Sequence, residues 1–249
     1  MNQVKYRLAQ LVSSTQRTKP AYQIHRRVLM YHSISQHKQS EKDIYSLSRR
    51  DFAQHVELLH ELHKTENSKI VKLDSTDRSG ITITFDDGYR DTLTIAAQTL
   101  ADKKLPFTVF VSTANITSGN SIFLNRQELI ELSNISGATI GSHGHAHTHL
   151  AKMPPQDVTR DLKHSKDWLE QIVQKPVTTL SYPHGSYNND VVRIASEIGF
   201  EFAATSKWGV FEVGTKKLEI PRIDIWSQDS RKVLQQKLLG QWEWIARLV

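Results

Sequence analysis

Seven short runs of apolar and β-branched residues recur along this chain: RVLMYHSI (27–34), GITITFDDG (80–88), LPFTVFVST (105–113), GATIGSH (137–143), VTTLSYPHG (177–185), FEFAATS (200–206) and LEIPRIDIW (218–226). Helical segments separate most of them. In the stretch SLSRRDFAQHVELLHEL, Ser48 stands as an N-cap with Asp51 three residues on, and Phe52, Val56, Leu59 and Leu62 form one apolar face. Asn125 opens a second helix in the same way, a Pro-led segment at 154–173 reads as a third, and Gly199 closes a fourth at a C′ position. Strands that are apolar on both faces need cover on both faces, which is the signature of a parallel sheet wrapped by helices. About seven such repeats over 249 residues predict an α/β fold, a distorted (β/α) barrel of about seven parallel strands; a doubly wound open sheet is the alternative.

Composition narrows the function. The chain has no cysteine, which excludes disulfides and thiolate metal sites. It carries no apolar run of about 18 residues, so no membrane-spanning helix is expected. The first residues, MNQVKYRLAQLVSSTQRTKP, lack the apolar core of a secretory signal, which points to a cytoplasmic or membrane-peripheral protein. Net charge is +6, but the basic residues are scattered and not interleaved with aromatics, so no nucleic-acid partner is expected. No glycine-rich phosphate cradle occurs. Residues 1–26 read as a basic, amphipathic extension (Val4, Leu8, Leu11, Val12) with possible peripheral membrane contact, and 27–249 as the catalytic domain including a C-terminal helix whose Trp242, Trp244, Ile245 and Leu248 form one face.

Polar clusters fall at the ends of the predicted strands: Tyr31-His32, Asp86-Asp87-Gly88, the run GSHGHAHTHL (141–150), and Tyr182-Pro183-His184-Gly185. In parallel α/β folds the C-terminal strand ends share one rim, and active sites sit there. Adjacent acids point in different directions, so one carboxylate can ligate a metal while its neighbour acts as a base. Two histidines plus one carboxylate leave positions open, as a catalytic Zn²⁺ site requires. On spacing alone, His143 and His147 form one pair on a helical turn and His145 and His149 another.

Three segments carry a resemblance. TFDDG (84–88), IGSHGHAH (140–147) and SYPHGSYN (181–188) resemble the signature segments of the polysaccharide deacetylases, the NodB-homology family (carbohydrate esterase family 4), over roughly residues 27–226. The resemblance implies a metal-dependent hydrolase that removes N-acetyl groups from an N-acetylglucosamine-type polysaccharide or glycolipid. It implies Asp86 as general base; Asp87, His143 and His147 as ligands of a divalent metal, most often Zn²⁺; and a groove walled around Tyr182 and Pro183. Three departures stand out. Gly144 replaces a usual Ser or Thr. Ser181 stands where many members have an arginine that tethers the base, and Arg222 is the candidate replacement. No histidine follows His184, so the usual C-terminal acid is missing. His32 resembles the acid of a branch that deacetylates poly-N-acetylglucosamine, with His184 as its rival. Arg222, Asp224 and Trp226 are further candidates for substrate contact, and His25, His37, His55, His60, His63 and His164 read as ordinary surface or helix positions.

Overall fold

The computed structural model describes Tyr6 and residues 21–35, 44–65 and 69–244. The first barrel strand is β1 (Arg27–Tyr31). The chain then breaks at His32, and β2 (Ser33–Ser35) leaves the barrel to pair in parallel with β3 (Ser46–Ser48). The expected single strand over 27–34 is therefore two. The barrel continues with β4 (Ile81–Phe85), β5 (Phe107–Val111), β6 (Ala138–Ser142), β7 (Thr179–Ser181), β8 (Phe202–Trp208) and β9 (Ile220–Asp224). Neighbours are parallel throughout, and β9 returns to β1, so the seven strands form a closed barrel. A closed circuit excludes the open doubly wound sheet.

Side chains of a strand alternate between its faces, and that parity sorts the chain. Leu29 and Tyr31 of β1, Ile81, Ile83 and Phe85 of β4, and Leu180 and Tyr182 about β7 belong to the large core shared with the surrounding helices. The intervening residues face the barrel axis. Val28, Phe110, Phe202, Ala204 and Ile220 form a second cluster inside it. Above them come Thr84, Asp86, Ser181 and Arg222, joined by hydrogen bonds. Gly141 of β6 also faces inward: a Cβ there would lie 2.6 Å from both the Phe110 ring and Thr179 Oγ1. Only glycine fits this position, and the strand can then carry His143 to the rim on the same face.

The helices start where capping predicts. Ser48 Oγ accepts from Asp51 N at 3.1 Å at the start of the helix Arg49–His63, and Asn125 with Glu128 makes a reciprocal capping box. Gly199 takes the left-handed conformation at φ 95° behind the helix Asn189–Ile198. The last helix, Arg231–Leu238, is shorter than expected. Trp242 beyond it is fully buried, whereas Ile245, Leu248 and the N-terminal Val4, Leu8, Leu11 and Val12 lie outside the described residues. Among the described residues, no helix is long and apolar enough to cross a membrane.

Candidate metal centre

Asp86 stands at the C-terminal end of β4 facing the barrel axis, 2% exposed. Arg222 from β9 meets it as a two-pronged pair: Nη1 donates to Oδ1 and Nη2 to Oδ2, each at 2.7 Å. Ser181 from β7 adds a third hydrogen bond to Oδ2 at 3.1 Å, and itself accepts from Arg222 Nη2 at 2.9 Å. Burial opposes the charge on Asp86, but the Arg222 guanidinium, helped by His143 and His32, holds the carboxyl below its ordinary range. Arg222 is thus fully buried behind Asp86 and does not wall a substrate groove. Arg222 from β9 and Ser181 from β7 together fix the Asp86 carboxylate from two other strands.

Asp87 turns the other way. It lies in the left-handed region at φ 72°, as does Gly88 at φ 76°. Such a conformation in a non-glycine residue costs on the order of 1 kcal/mol or more and persists only where the surroundings enforce it. Here Asn115 Nδ2 donates to the Asp87 carbonyl at 3.2 Å, and Leu124 N donates to that of Gly88 at 3.0 Å. The reversed turn brings Asp87 Oδ1 to 2.9 Å from His147 Nε2 and 3.3 Å from His143 Nε2.

The two histidines meet without a helical turn. Residues 143–149 form an irregular loop after β6, with Gly144 at φ 69° and His147 at φ 51°. The expected pairing of His143 with His147 is observed, but by a different geometry. Asp161, on the helix Pro155–Val173, holds the loop: its two carboxylate oxygens accept from His145 N and Ala146 N, both at 2.8 Å. Gly144 passes so close that a Cβ would lie 2.7 Å from Asp161 Oδ1. The glycine that replaces a hydroxyl residue is therefore required by its left-handed backbone and this contact. His145 points away and shares a hydrogen bond with Thr113 Oγ1 at 2.8 Å, while its ring packs on His164 at 4.4 Å. His149 stacks on His184 at 4.3 Å.

The set fits a divalent metal. His143 Nδ1 lies 2.8 Å from the Ser181 carbonyl, which can only accept, so the proton sits on Nδ1 and Nε2 presents its lone pair. Asp87 Oδ1 is buried without a hydrogen-bond partner although two imidazole nitrogens lie beside it. The His143 lone pair, the His147 Nε2 nitrogen and an Asp87 carboxylate oxygen converge on one point, as the ligands of a metal do. All three ligand atoms lie within 4.8 Å of one another. The nitrogen and oxygen donors of this set suit Zn²⁺ and leave coordination positions free.

A cavity of about 390 Å³ opens over this centre, lined among others by His32, Tyr45, Asp86, Asp87, His147 and His184. His32 has the inward parity of Val28 and Met30, its ring packs on Tyr45 at 4.6 Å, and its Nδ1 is buried without a partner. His184, exposed and left-handed at φ 56°, places Nε2 3.1 Å from the His147 carbonyl. Two expected wall residues are placed elsewhere. Tyr182 has outward parity: it is fully buried, stacks on Tyr187 at 5.0 Å, and its hydroxyl donates to the Leu218 carbonyl at 3.0 Å. Pro183 is buried against Gly144. Trp226 packs over Lys237 Nζ at 3.9 Å, among Tyr6, Trp208 and Trp242, and borders a recess of about 20 Å³. Asp224 continues the inward series of β9, with Oδ1 unpartnered and its pKa pushed up to about 6 by burial. His55 is not a surface histidine; it is fully buried between the Tyr31 hydroxyl at 3.1 Å and the Asp229 carbonyl at 2.9 Å.

The chain thus forms a closed parallel (β/α) barrel with an Asp-His-His cluster able to hold a metal and a second, ion-paired carboxylate on its C-terminal rim. Comparison with known proteins makes this particular. Residues 74–203 match the family model described as polysaccharide deacetylase, and the chain belongs to that family. It is 28% identical over 188 residues to YxkH of Bacillus subtilis (strain 168), named as a polysaccharide deacetylase; the match takes in 73% of this chain and 64% of that protein's length. In fold it is similar to the Streptococcus pyogenes deacetylase PplD solved in complex with acetate, with TM-score 0.74, 21% identity, and 86% and 98% of the two chains covered. It is also similar to IcaB from Ammonifex degensii, with TM-score 0.70, 20% identity, and 87% and 97% covered.

Proposed function

We propose that this chain removes N-acetyl groups from an N-acetylglucosamine-type polysaccharide or glycolipid and releases acetate. The observation that carries the reading is the division of labour between neighbouring acids. Asp86 is held ionised and aimed by Arg222 and Ser181. Asp87 is turned by a left-handed backbone onto the Nε2 nitrogens of His143 and His147.

A divalent ion, Zn²⁺ by the donor set, would be held by Asp87, His143 and His147 and would supply Lewis-acid activation of water and of the acetamide carbonyl. Asp86, kept ionised at the floor of the same cavity, takes the proton of the attacking water as general base. His32 is the proposed acid that protonates the departing amine. It lines the cavity, and its Nδ1 is committed to no other group. His184 is the weaker candidate, because its Nε2 is already engaged with the His147 carbonyl. The fixed hydrogen bonds of Asp161 and Ser181 hold the ligand loop and the His143 tautomer before substrate arrives.

Acetate release from chito-oligosaccharides with added Zn²⁺ tests the reading. Asp86→Asn is expected to lower kcat by about 10²- to 10⁴-fold, the usual worth of a positioned base. Unchanged turnover would refute Asp86 as the base. His32→Ala is expected to lose far more activity than His184→Ala, and the reverse order would transfer the acid role to His184.

A further inference from the structure

His32 follows the first barrel strand and lines the metal cavity, yet no hydrogen bond fixes its ring through Nδ1. A histidine ring turns readily about its Cβ–Cγ bond, because that torsion is broad and roughly two-fold. Something has to hold it. His143 is held through Nδ1 by the Ser181 carbonyl, which commits one nitrogen and leaves the other for the metal. A group that delivers a proton and is then reprotonated keeps both nitrogens available only if it is held by a ring face.

The fold supplies that face. The chain passes from β1 through His32 into β2, where Ser33, Ile34 and Ser35 stand opposite Ser46, Leu47 and Ser48 of β3. Extending this parallel register by one residue sets Tyr45 opposite His32. The two rings pack at 4.6 Å between centroids, with their planes 32° apart. Rings so nearly parallel meet by their faces, so the imidazole nitrogens, which bond in the ring plane, stay clear of the contact. Tyr45 is itself fixed on both sides. The Ile44 carbonyl accepts from Ser227 N at 2.7 Å, and Ile34 and Leu47 sink the small sheet into the main core. Burial and the charge of Asp224 push the Tyr45 hydroxyl up to about 12, so its ring stays a neutral phenol near neutral pH.

We propose that Tyr45 is a positioning residue: it holds the His32 imidazole by one face and keeps its nitrogens free over the metal centre. The assignment rests on the deacetylase reading above. In that step one proton passes from the His32 imidazolium to the amine nitrogen as the bond from that nitrogen to the acetyl carbon breaks. Tyr45 exchanges no proton; its aromatic face, not its hydroxyl, is what the step requires.

The test compares Zn²⁺-loaded wild type with Tyr45→Leu and Tyr45→Phe on chito-oligosaccharides. Tyr45→Leu is expected to lower kcat by about 10- to 100-fold with KM little changed, as a misplaced acid would. Tyr45→Phe is expected to keep the wild-type kcat, and Zn²⁺ affinity is expected to be the same in all three. A raised KM with unchanged kcat in Tyr45→Leu, an equal loss of kcat in Tyr45→Phe, or a weakened Zn²⁺ affinity in Tyr45→Leu would each overturn the assignment. Proton magnetic resonance of the histidine rings reads the contact without turnover. The His32 signals, identified by their absence in His32→Gln, are expected to lie upfield in wild type and Tyr45→Phe and at the free-histidine position in Tyr45→Leu. Wild-type signals at the free-histidine position, or no change in Tyr45→Leu, would also overturn it. If no sugar yields acetate, the deacetylase reading falls; Tyr45 then stands as the residue that orients His32 if the signals move as expected, and falls if they do not.

Discussion

Among the described residues, two carboxylates lie buried against cations, Asp86 against Arg222 at the mouth of the barrel and Asp229 against Lys237 of the last helix. The second pair is saturated. Asp229 Oδ1 accepts from Tyr6 at 2.8 Å, and Oδ2 accepts from Lys237 at 2.5 Å and from Trp226 N at 3.0 Å. Lys237 spends a further hydrogen bond on the Asp224 carbonyl at 2.7 Å and is roofed by Trp208, Trp226 and Trp242. The first pair is equally well bonded, but it opens on a cavity whose other walls include the unpartnered Asp87 Oδ1 and His32 Nδ1. A buried ion pair by itself says little about function. What marks the rim is the unspent hydrogen-bonding capacity around the pair, together with three left-handed non-glycine residues, Asp87, His147 and His184.

The same substitution in both pairs sharpens the contrast. Arg222→Met and Lys237→Met each leave a buried carboxylate uncompensated, so each is expected to cost about 3–5 kcal/mol of stability in denaturant unfolding. Only Arg222→Met is expected also to cut kcat in the folded protein, by at least about 100-fold, because it releases the base. Equal loss of kcat in both would erase the distinction drawn here.

A smaller effect separates the two regions by pH. His55, bonded to the backbone of Asp229, has its pKa pushed down to about 4 by burial. A depressed histidine favours the native state above its unfolded pKa of about 6.5, and that contribution is lost as pH falls through about 4. The expected loss is about 3 kcal/mol, because each pH unit between those limits contributes about 1.4 kcal/mol. In His55→Gln the unfolding free energy is expected to vary less over the same interval; an unchanged slope would show that His55 is not the titrating group.

Asp224, between the two regions, has the opposite sign. Its pKa is raised to about 6 by burial. Its ionised form is therefore penalised in the folded state, with no penalty below about pH 3.8 and the full penalty above about 6. Asp224→Asn is expected to stabilise by about 3 kcal/mol at about pH 8 and by nothing at about pH 3.5. Unfolding curves at the two pH values check it.

Much of this was legible in the chain. The seven apolar runs give the barrel, because parallel strands covered on both faces have few other solutions. The Asp-Asp and histidine clusters give the rim, because strand ends share it. What escaped depends on contacts between residues distant in sequence. Asp161, which ties the ligand loop, sits in TRDLKHSKDW and reads like any solvated helical acid. Tyr182 reads as a wall residue from its motif, although strand parity puts it opposite to Ser181 and hence outside. His55 lies three residues from Phe52 and one before Val56, so the helical face that buries it was readable. The left-handed turn that joins His143 to His147 has a local sign only in Gly144.

The central claim is that Asp87 holds the metal and Asp86 does not. Calorimetric titration of the metal-stripped protein with Zn²⁺ tests it directly. The expected result is one tight site that survives in Asp86→Asn and His145→Ala and is lost in Asp87→Asn, His143→Ala and His147→Ala. Retention of that site in Asp87→Asn, or its loss in His145→Ala, would contradict the account.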